Sequence, residues 1–190
     1  MSDREFFEGA ATSIEEDRVR LPLVALVGRP NVGKSTLFNR VVGHRRAVVE
    51  DGAGTTRDRL IAEADWNGKR FRLVDTGGIQ PAHGNVIDVA VQDQARIAVA
   101  SADVILLIVD AAAGPNPADS EVAQLLRRSS KPIILVANKA DNIDRERAAH
   151  EFTELGFDRV HPVSAQHGSG TGDLLDVLVE QLRALPEDAG

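Results

Sequence analysis

Short apolar runs alternate with segments of helical spacing along this chain, and the alternation sets the expected architecture. Leu23-Val24-Ala25-Leu26-Val27 is a continuous apolar run, followed by helix-like Thr36 to Val42 with Gly43 placed as a C-cap. Residues 44–58 are polar and turn-like. Leu60–Trp66 and Arg70–Val74 read as strands, and the Asn67-Gly68 pair between them is a strong hairpin signal. A glycine-rich loop covers 76–85, and helical spacing runs from Val86 to Ala100. Val104–Val109 and Pro132–Ala137 are apolar without polar interruption, as expected of strands covered on both faces of a parallel sheet. Between them, Ala118, Val122, Leu125 and Leu126 mark a helix over 118–128. Arg145–Leu155 predicts a helix ended by Gly156, and Arg159–Val163 the last strand. Thr171–Leu185 closes the pattern as a helix with Leu174, Leu175, Leu178 and Leu182 on one face, stopped by Pro186. Six strands alternating with helices imply a three-layer α/β domain. Its sheet is mostly parallel with one antiparallel edge strand, and ligands bind at the strand C-termini.

That domain is expected over residues 21–186. Residues 1–20 carry Glu5, Glu8, Glu15, Glu16 and Asp17 without sustained periodicity and read as a mobile acidic extension, and 187–190 as a tail. The 190 residues, 43% hydrophobic and 27% charged, match an ordinary soluble globular chain. With no cysteine, a disulfide scaffold and a thiolate metal site are both excluded. The first residues lack an apolar core of signal-peptide length, and Val104–Val109 is far too short to span a bilayer, so a cytoplasmic location is expected. The formal net charge of −7 argues against general nucleic-acid binding by electrostatics alone. The small basic clusters at His44-Arg45-Arg46, Lys69-Arg70-Phe71-Arg72 and Arg127-Arg128 read as solvated faces.

The chemistry begins where the first strand ends. Gly28-Arg29-Pro30-Asn31-Val32-Gly33-Lys34-Ser35 has the spacing G-x-x-x-x-G-K-[ST] of a phosphate-binding loop, in the strand-before, helix-after context that supports it. Its glycines let backbone amides converge on a phosphate, and the helix starting near Gly33 adds unpaired N–H groups and a positive dipole end. Lys34 then reaches the β- and γ-phosphates, and the Ser35 hydroxyl ligates Mg²⁺; Val32 and Thr36 complete the nucleotide-binding stretch. Asp75-Thr76-Gly77-Gly78 follows the strand 70–74. There Asp75 is placed to hold Mg²⁺ through a water, and the Gly78 amide to bond a γ-phosphate. Asn138-Lys139-Ala140-Asp141 ends the strand 132–137. The Asp141 carboxylate is suited to guanine N1–H and N2–H₂, an edge adenine lacks, while the Lys139 stem covers the base and Asn138 ties the loop. Ser164-Ala165, after the last strand, offers the Ala165 amide to guanine O6. A threonine in the loop 44–58, Thr55 or Thr56, is suited to complete the Mg²⁺ shell when a γ-phosphate is present.

In order and spacing these motifs resemble a translation-factor-type GTPase. More closely, they are similar to the N-terminal G domain of the Der (EngA) family of bacterial ribosome-assembly GTPases. The echoes are G-R-P-N-V-G-K-S-T-L-F-N at 28–39, T-R-D-R at 56–59, D-T-G-G-I at 75–79, N-K-A-D at 138–141 and P-V-S-A-Q-H-G-x-G-x-G-D-L-L-D at 162–176. The likeness spans residues 22–185 and implies a Ras-like G domain, with a second G domain and a KH-like domain downstream. It implies GTP and GDP as ligands and the large ribosomal subunit as the partner of the longer protein. It also selects Thr56 over Thr55. One departure is Ala53, where the family pattern has proline.

The resemblance bears on hydrolysis too. Where Ras-type enzymes carry a water-orienting glutamine stands Ile79, with Gln80 as its neighbour. G domains with asparagine at the Asn31 position resemble potassium-activated GTPases, in which that side chain helps hold K⁺ against the phosphates. The alternative for Asn31 is a loop-stabilising hydrogen bond. The expected catalytic set is therefore Lys34, Asn31, Thr56 and Gly78, with Mg²⁺ and K⁺ as cofactors. Two other readings stand beside this one. The first is the G domain of a tRNA-modification GTPase. The second is a GTP-dependent interaction module that does not hydrolyse.

Overall fold

Strand β1 (Leu23–Val27) sits at the centre of the sheet because all but its first residue are buried and both its edges are paired. The computed structural model describes residues 20–43, 48–49, 60–78 and 87–186. In chain order these form β1, α1 (Lys34–Val42), β2 (Val48–Val49), β3 (Leu60–Trp66), β4 (Lys69–Asp75), α2 (Ile87–Ser101) and β5 (Val104–Asp110). Then come α3 (Pro117–Arg127), β6 (Ile133–Asn138), α4 (Ile143–Ala148), β7 (Val160–Pro162) and α5 (Thr171–Arg183). The sheet order is β2-β3-β4-β1-β5-β6-β7. Strands β4, β1, β5, β6 and β7 are mutually parallel, and β3 is antiparallel to β4. The six expected strands are all present. Beyond them, β2 pairs two residues against Ile61 and Leu60, so β3 is not the outermost strand.

Period-two alternation divides the apolar strand residues between the two faces. Val24, Leu26, Val104, Leu106 and Ile108 share one core with Leu37 and Phe38 of α1 and Leu174 and Leu178 of α5. Ala25, Val27, Ile105, Leu107 and Val109 share the other with Ala95 and Ala98 of α2 and Val122 and Leu126 of α3. Coverage on both faces is why β5 could be apolar from Val104 to Val109. The expected hairpin is also present. Asn67 and Gly68 both take positive φ, 48° and 78°, and join β3 to β4 in full register.

One element differs from its pattern. The single helix expected over 145–155 is a short α4, begun by Asn142 whose side chain accepts from Arg145 N–H, followed by a 3₁₀ turn over Ala149–Leu155. A 3₁₀ turn has three residues per turn, so Ala149, Phe152 and Leu155 align and bury together. Gly156 ends it, as expected, in the left-handed region. Among the described residues no helix is long and apolar enough to cross a membrane.

The topology also fixes where a ligand can sit. The chain leaves β1 toward β3 and β4 on one side and reaches β5, β6 and β7 on the other. The crevice beyond the C-terminal end of β1 is therefore the switch point of the sheet. The phosphate loop after β1, Asp75 at the end of β4, Asn138 at the end of β6 with Lys139 and Asp141 beyond it, and Ser164 and Ala165 after β7 all lie at that end.

Candidate nucleotide-binding site

The loop Gly28–Gly33 joins β1 to α1. Helix α1 begins at Lys34 with Gly33 as N-cap and no side-chain cap, whereas α3 and α4 are capped by Asn116 and Asn142. Its first intrahelical bond runs from Leu37 N–H to the Gly33 carbonyl, which leaves the N–H groups of Lys34, Ser35 and Thr36 without partners inside the helix. This is the constellation expected of an anion cradle. Two glycines are required by space. A Cβ on Gly28 would lie 2.4 Å from the Ile108 carbonyl, and one on Gly33 would lie 2.2 Å from Asn138 Nδ2. Gly33 also has φ of 97°.

Lys34 is buried, and its ammonium donates to the carbonyls of Gly28 at 2.6 Å and Arg29 at 2.9 Å. Burial lowers its pKa to about 8; the charge of Asp75 pulls it back up, and Arg29 adds to the fall. Asp75 ends β4 level with Leu26 and is buried. One carboxylate oxygen accepts the Ser35 hydroxyl at 2.8 Å, the other the Gly77 N–H at 2.8 Å. Two of the three residues expected to serve Mg²⁺, Ser35 and Asp75, therefore meet. Gly78 closes a 3₁₀ turn, Thr76–Gly78, directly beyond.

The motif at the end of β6 is bonded into the phosphate loop. Asn138 donates from Nδ2 to the Val32 carbonyl at 2.9 Å and accepts the Ala165 N–H at 3.0 Å, so one buried amide fastens two loops. Lys139 reaches the Asn31 carbonyl and forms an ion pair with Asp110 at 3.0 Å. Asn31 and Lys139 both have positive φ, 67° and 64°, a strained geometry for non-glycine residues that clusters at functional sites. The Asn31 side chain is exposed and makes no hydrogen bond to another described residue. Asp141 accepts the Ser164 hydroxyl at 2.6 Å and Arg145 at 3.0 Å, one on each oxygen, and each oxygen keeps a further lone pair. The Ala165 amide, expected to face a base, is directed at Asn138 here. Thr55, Thr56, Ile79 and Gln80 lie outside the described residues.

Three members of the site were not foreseen. Asp110, at the end of β5, accepts the N–H groups of Ala112 and Ala113 as well as Lys139. Burial opposes its ionised form, but these donors outweigh it and hold the pKa below the ordinary carboxylate value. Its position at a strand C-terminus was the available signal. Arg29 is anchored by Asp119 of α3 at 2.9 Å, and Asp119 is itself part of the α3 capping box. Burial keeps the Asp119 pKa raised although Arg29 favours the charge. Nothing local in the sequence pairs residues 29 and 119. Arg40 of α1, finally, bonds the Ala165 and Gln166 carbonyls.

The depressed Lys34 pKa gives a signed expectation. Between about pH 8 and 10.5 the unfolded chain binds more protons on this group than the folded one. The burial penalty that Lys34 places on folding, complete below that window, is therefore relieved as pH rises through it. A bound phosphate acts oppositely, because it favours the ammonium. Calorimetric titration with GDP near about pH 9, in two buffers of different ionisation enthalpy, should show uptake approaching about one proton per nucleotide. Proton-neutral binding would refute the assignment.

A phosphate loop knotted by an N-K-x-D motif at the switch point of a mostly parallel sheet is the arrangement of P-loop GTPase domains. The model of the 50S ribosome-binding GTPase family matches residues 23–139, from the start of β1 through Lys139, and the chain belongs to that family. Within it, the chain is 54% identical over 167 residues to a GTPase Der of Pelotomaculum thermopropionicum, covering 88% of this chain and 38% of that protein. It is 49% identical over 174 residues to a GTPase Der of Salinispora tropica, covering 92% and 37%. The chain thus spans under two-fifths of the length of these relatives. Among solved structures it is similar to a variant of Aquifex aeolicus Era bound to GDP and aluminium fluoride, with 32% identity, TM-score 0.66 and coverage of 87% of this chain and 60% of that one. It is also similar to the G domain of the Thermotoga maritima FeoB iron transporter, with 25% identity, TM-score 0.63 and coverage of 84% and 98%.

Proposed function

We propose that this domain binds GTP and GDP with Mg²⁺ and hydrolyses GTP slowly, with K⁺ stimulation. In the longer protein it would act as a cytoplasmic switch in assembly of the large ribosomal subunit. The observation that carries the reading is the pair of bonds from Asn138 and Lys139 to the carbonyls of Val32 and Asn31. They make a guanine-suited motif and a phosphate loop one unit, which an ATPase loop has no need of. The match to the 50S ribosome-binding GTPase family supports the ribosomal part. A second G domain and a KH-like domain would follow in the longer protein, for which the relatives named GTPase Der have room, since this chain spans 38% of one of them.

In this reading Lys34 leaves the Gly28 and Arg29 carbonyls for the β- and γ-phosphates, and the amides of the loop and of α1 hold the same oxygens. A hydroxyl and a carboxylate 2.8 Å apart, Ser35 and Asp75, are the hard oxygen donors that suit Mg²⁺, which neutralises phosphate charge when bound. Thr56 and the Gly78 amide would add γ-phosphate-dependent contacts that order their loops. Asn31, whose exposed side-chain carbonyl oxygen accepts no hydrogen bond from another described residue, suits a weakly held monovalent cation. Such a cation would supply the positive charge that an arginine finger supplies elsewhere. Ile79 has no group to orient water, which fits a slow intrinsic rate.

Single-turnover hydrolysis of GTP in KCl and in NaCl tests both halves. We expect turnover at least about tenfold faster in KCl, and loss of that difference in Asn31→Ala. Equal rates would remove the potassium role and leave the GTPase standing, whereas no hydrolysis in either salt would leave only a nucleotide-dependent interaction module.

A further inference from the structure

The loop after β7 closes on itself. Gly168 N–H donates to the Ser164 carbonyl at 2.7 Å, Ser164 N–H to the Ser169 carbonyl at 2.9 Å, and His167 N–H to the Ser164 hydroxyl at 3.2 Å. Two of its carbonyls turn outward to one side chain. Arg40 Nε donates to Ala165 O at 2.9 Å and Nη2 to Gln166 O at 2.6 Å, across more than a hundred residues. The contact is close-fitting, since a Cβ on Gly168 would lie 3.3 Å from Arg40 Nη1. Arg40 stands on α1, whose first turn carries Lys34 and Ser35, and beside it opens a cavity of about 430 Å³ lined by Thr36, Asn39, Arg40, Gly43, Ala165 and Gln166.

We infer that Arg40 is a positioning residue for base recognition, tying the loop that carries Ser164 and Ala165 to the helix that grips the phosphates. The inference rests on the guanine-nucleotide reading above. The linkage runs from α1 through Arg40 to Ala165 and Gln166, and from Ser164 to the Asp141 carboxylate. Without it, Ser164 and Asn138 still hold one side of the loop, but the loop is free to swing away from α1. The phosphate cradle uses neither of the two carbonyls and is untouched. Arg40 thereby affects the base-dependent part of the affinity and spares the phosphate-dependent part. Lysine carries all its donors on one nitrogen and lacks the planar fork by which Arg40 Nε and Nη2 each reach a separate carbonyl.

The test is equilibrium titration of the 190-residue chain and its Arg40→Ala and Arg40→Lys variants with GDP, ADP and inorganic pyrophosphate, all with Mg²⁺. We expect Arg40→Ala to weaken GDP by about tenfold, the scale of losing charge-assisted bonds at a partly exposed site, with Arg40→Lys in between. Pyrophosphate affinity should stay within about twofold, so the GDP preference over pyrophosphate shrinks with GDP affinity. Equal weakening of GDP and pyrophosphate would show a merely structural role for Arg40 and overturn the inference, as would GDP affinity left unchanged. Wild-type protein that binds GDP no more tightly than ADP would instead overturn the guanine reading beneath it.

Discussion

Gly33→Ala is expected to weaken GDP binding by about a thousandfold. Two costs add at this residue. Its φ of 97° lies in the left-handed region, where a Cβ costs about 1–2 kcal/mol. The same Cβ would stand 2.2 Å from Asn138 Nδ2, so the amide must move. Asn138 is buried and fastens the Val32 carbonyl to the Ala165 N–H, and each buried bond lost leaves a group unsatisfied at about 1–3 kcal/mol. The sum, about 3–8 kcal/mol, falls on the crossing between the phosphate and base loops, so binding suffers more than folding. Fluorescence titration with a labelled GDP measures the first and thermal unfolding the second. An affinity within about tenfold of wild type would show that the loop relaxes around the methyl group, against the packing seen here.

Asp141→Asn should exchange the base preference. Asp141 keeps one lone pair per oxygen beyond its bonds to Ser164 and Arg145, enough for two donors of a guanine edge. Asparagine retains one acceptor for Ser164 and presents an amide donor on the other side, where guanine also donates. Xanthine carries a carbonyl there instead. GDP affinity should fall by about a hundredfold to a thousandfold, and that for the xanthine nucleotide should rise by a similar factor. Competition titrations with the two nucleotides on both proteins decide the matter. Unchanged GDP binding would remove Asp141 from base recognition.

Most of the fold was legible because its signals are local. Apolar runs marked all the buried strands, and Asn67-Gly68 marked the hairpin through its own backbone preference. The helix over 145–155 was misread in type, since the spacing of Ala149, Phe152 and Leu155 by threes suits a 3₁₀ turn as well as an α-helix and only packing decides. Val48–Val49 carried too little length to signal a strand; its pairing is supplied by β3. Asp110, Arg29 and Arg40 were missed for a different reason. Each is an ordinary charged residue whose role is defined by a partner at least 29 positions away.

The sequence by itself determined that a phosphate loop stands between a strand and a helix, that Asp75 and Asn138 stand at strand ends, and that Lys139 and Asp141 follow directly in the loop. Those are properties of contiguous residues, where spacing, backbone freedom and side-chain chemistry suffice. Only the tertiary structure decided that these pieces are one site. The order β4-β1-β5-β6 brings Asp75 to Ser35 and Asn138 to Val32, and it lets Lys139, Arg29 and Arg40 find Asn31, Asp119 and the Ala165 loop. Strand order is set by which buried faces pack together, a long-range balance that no local pattern records.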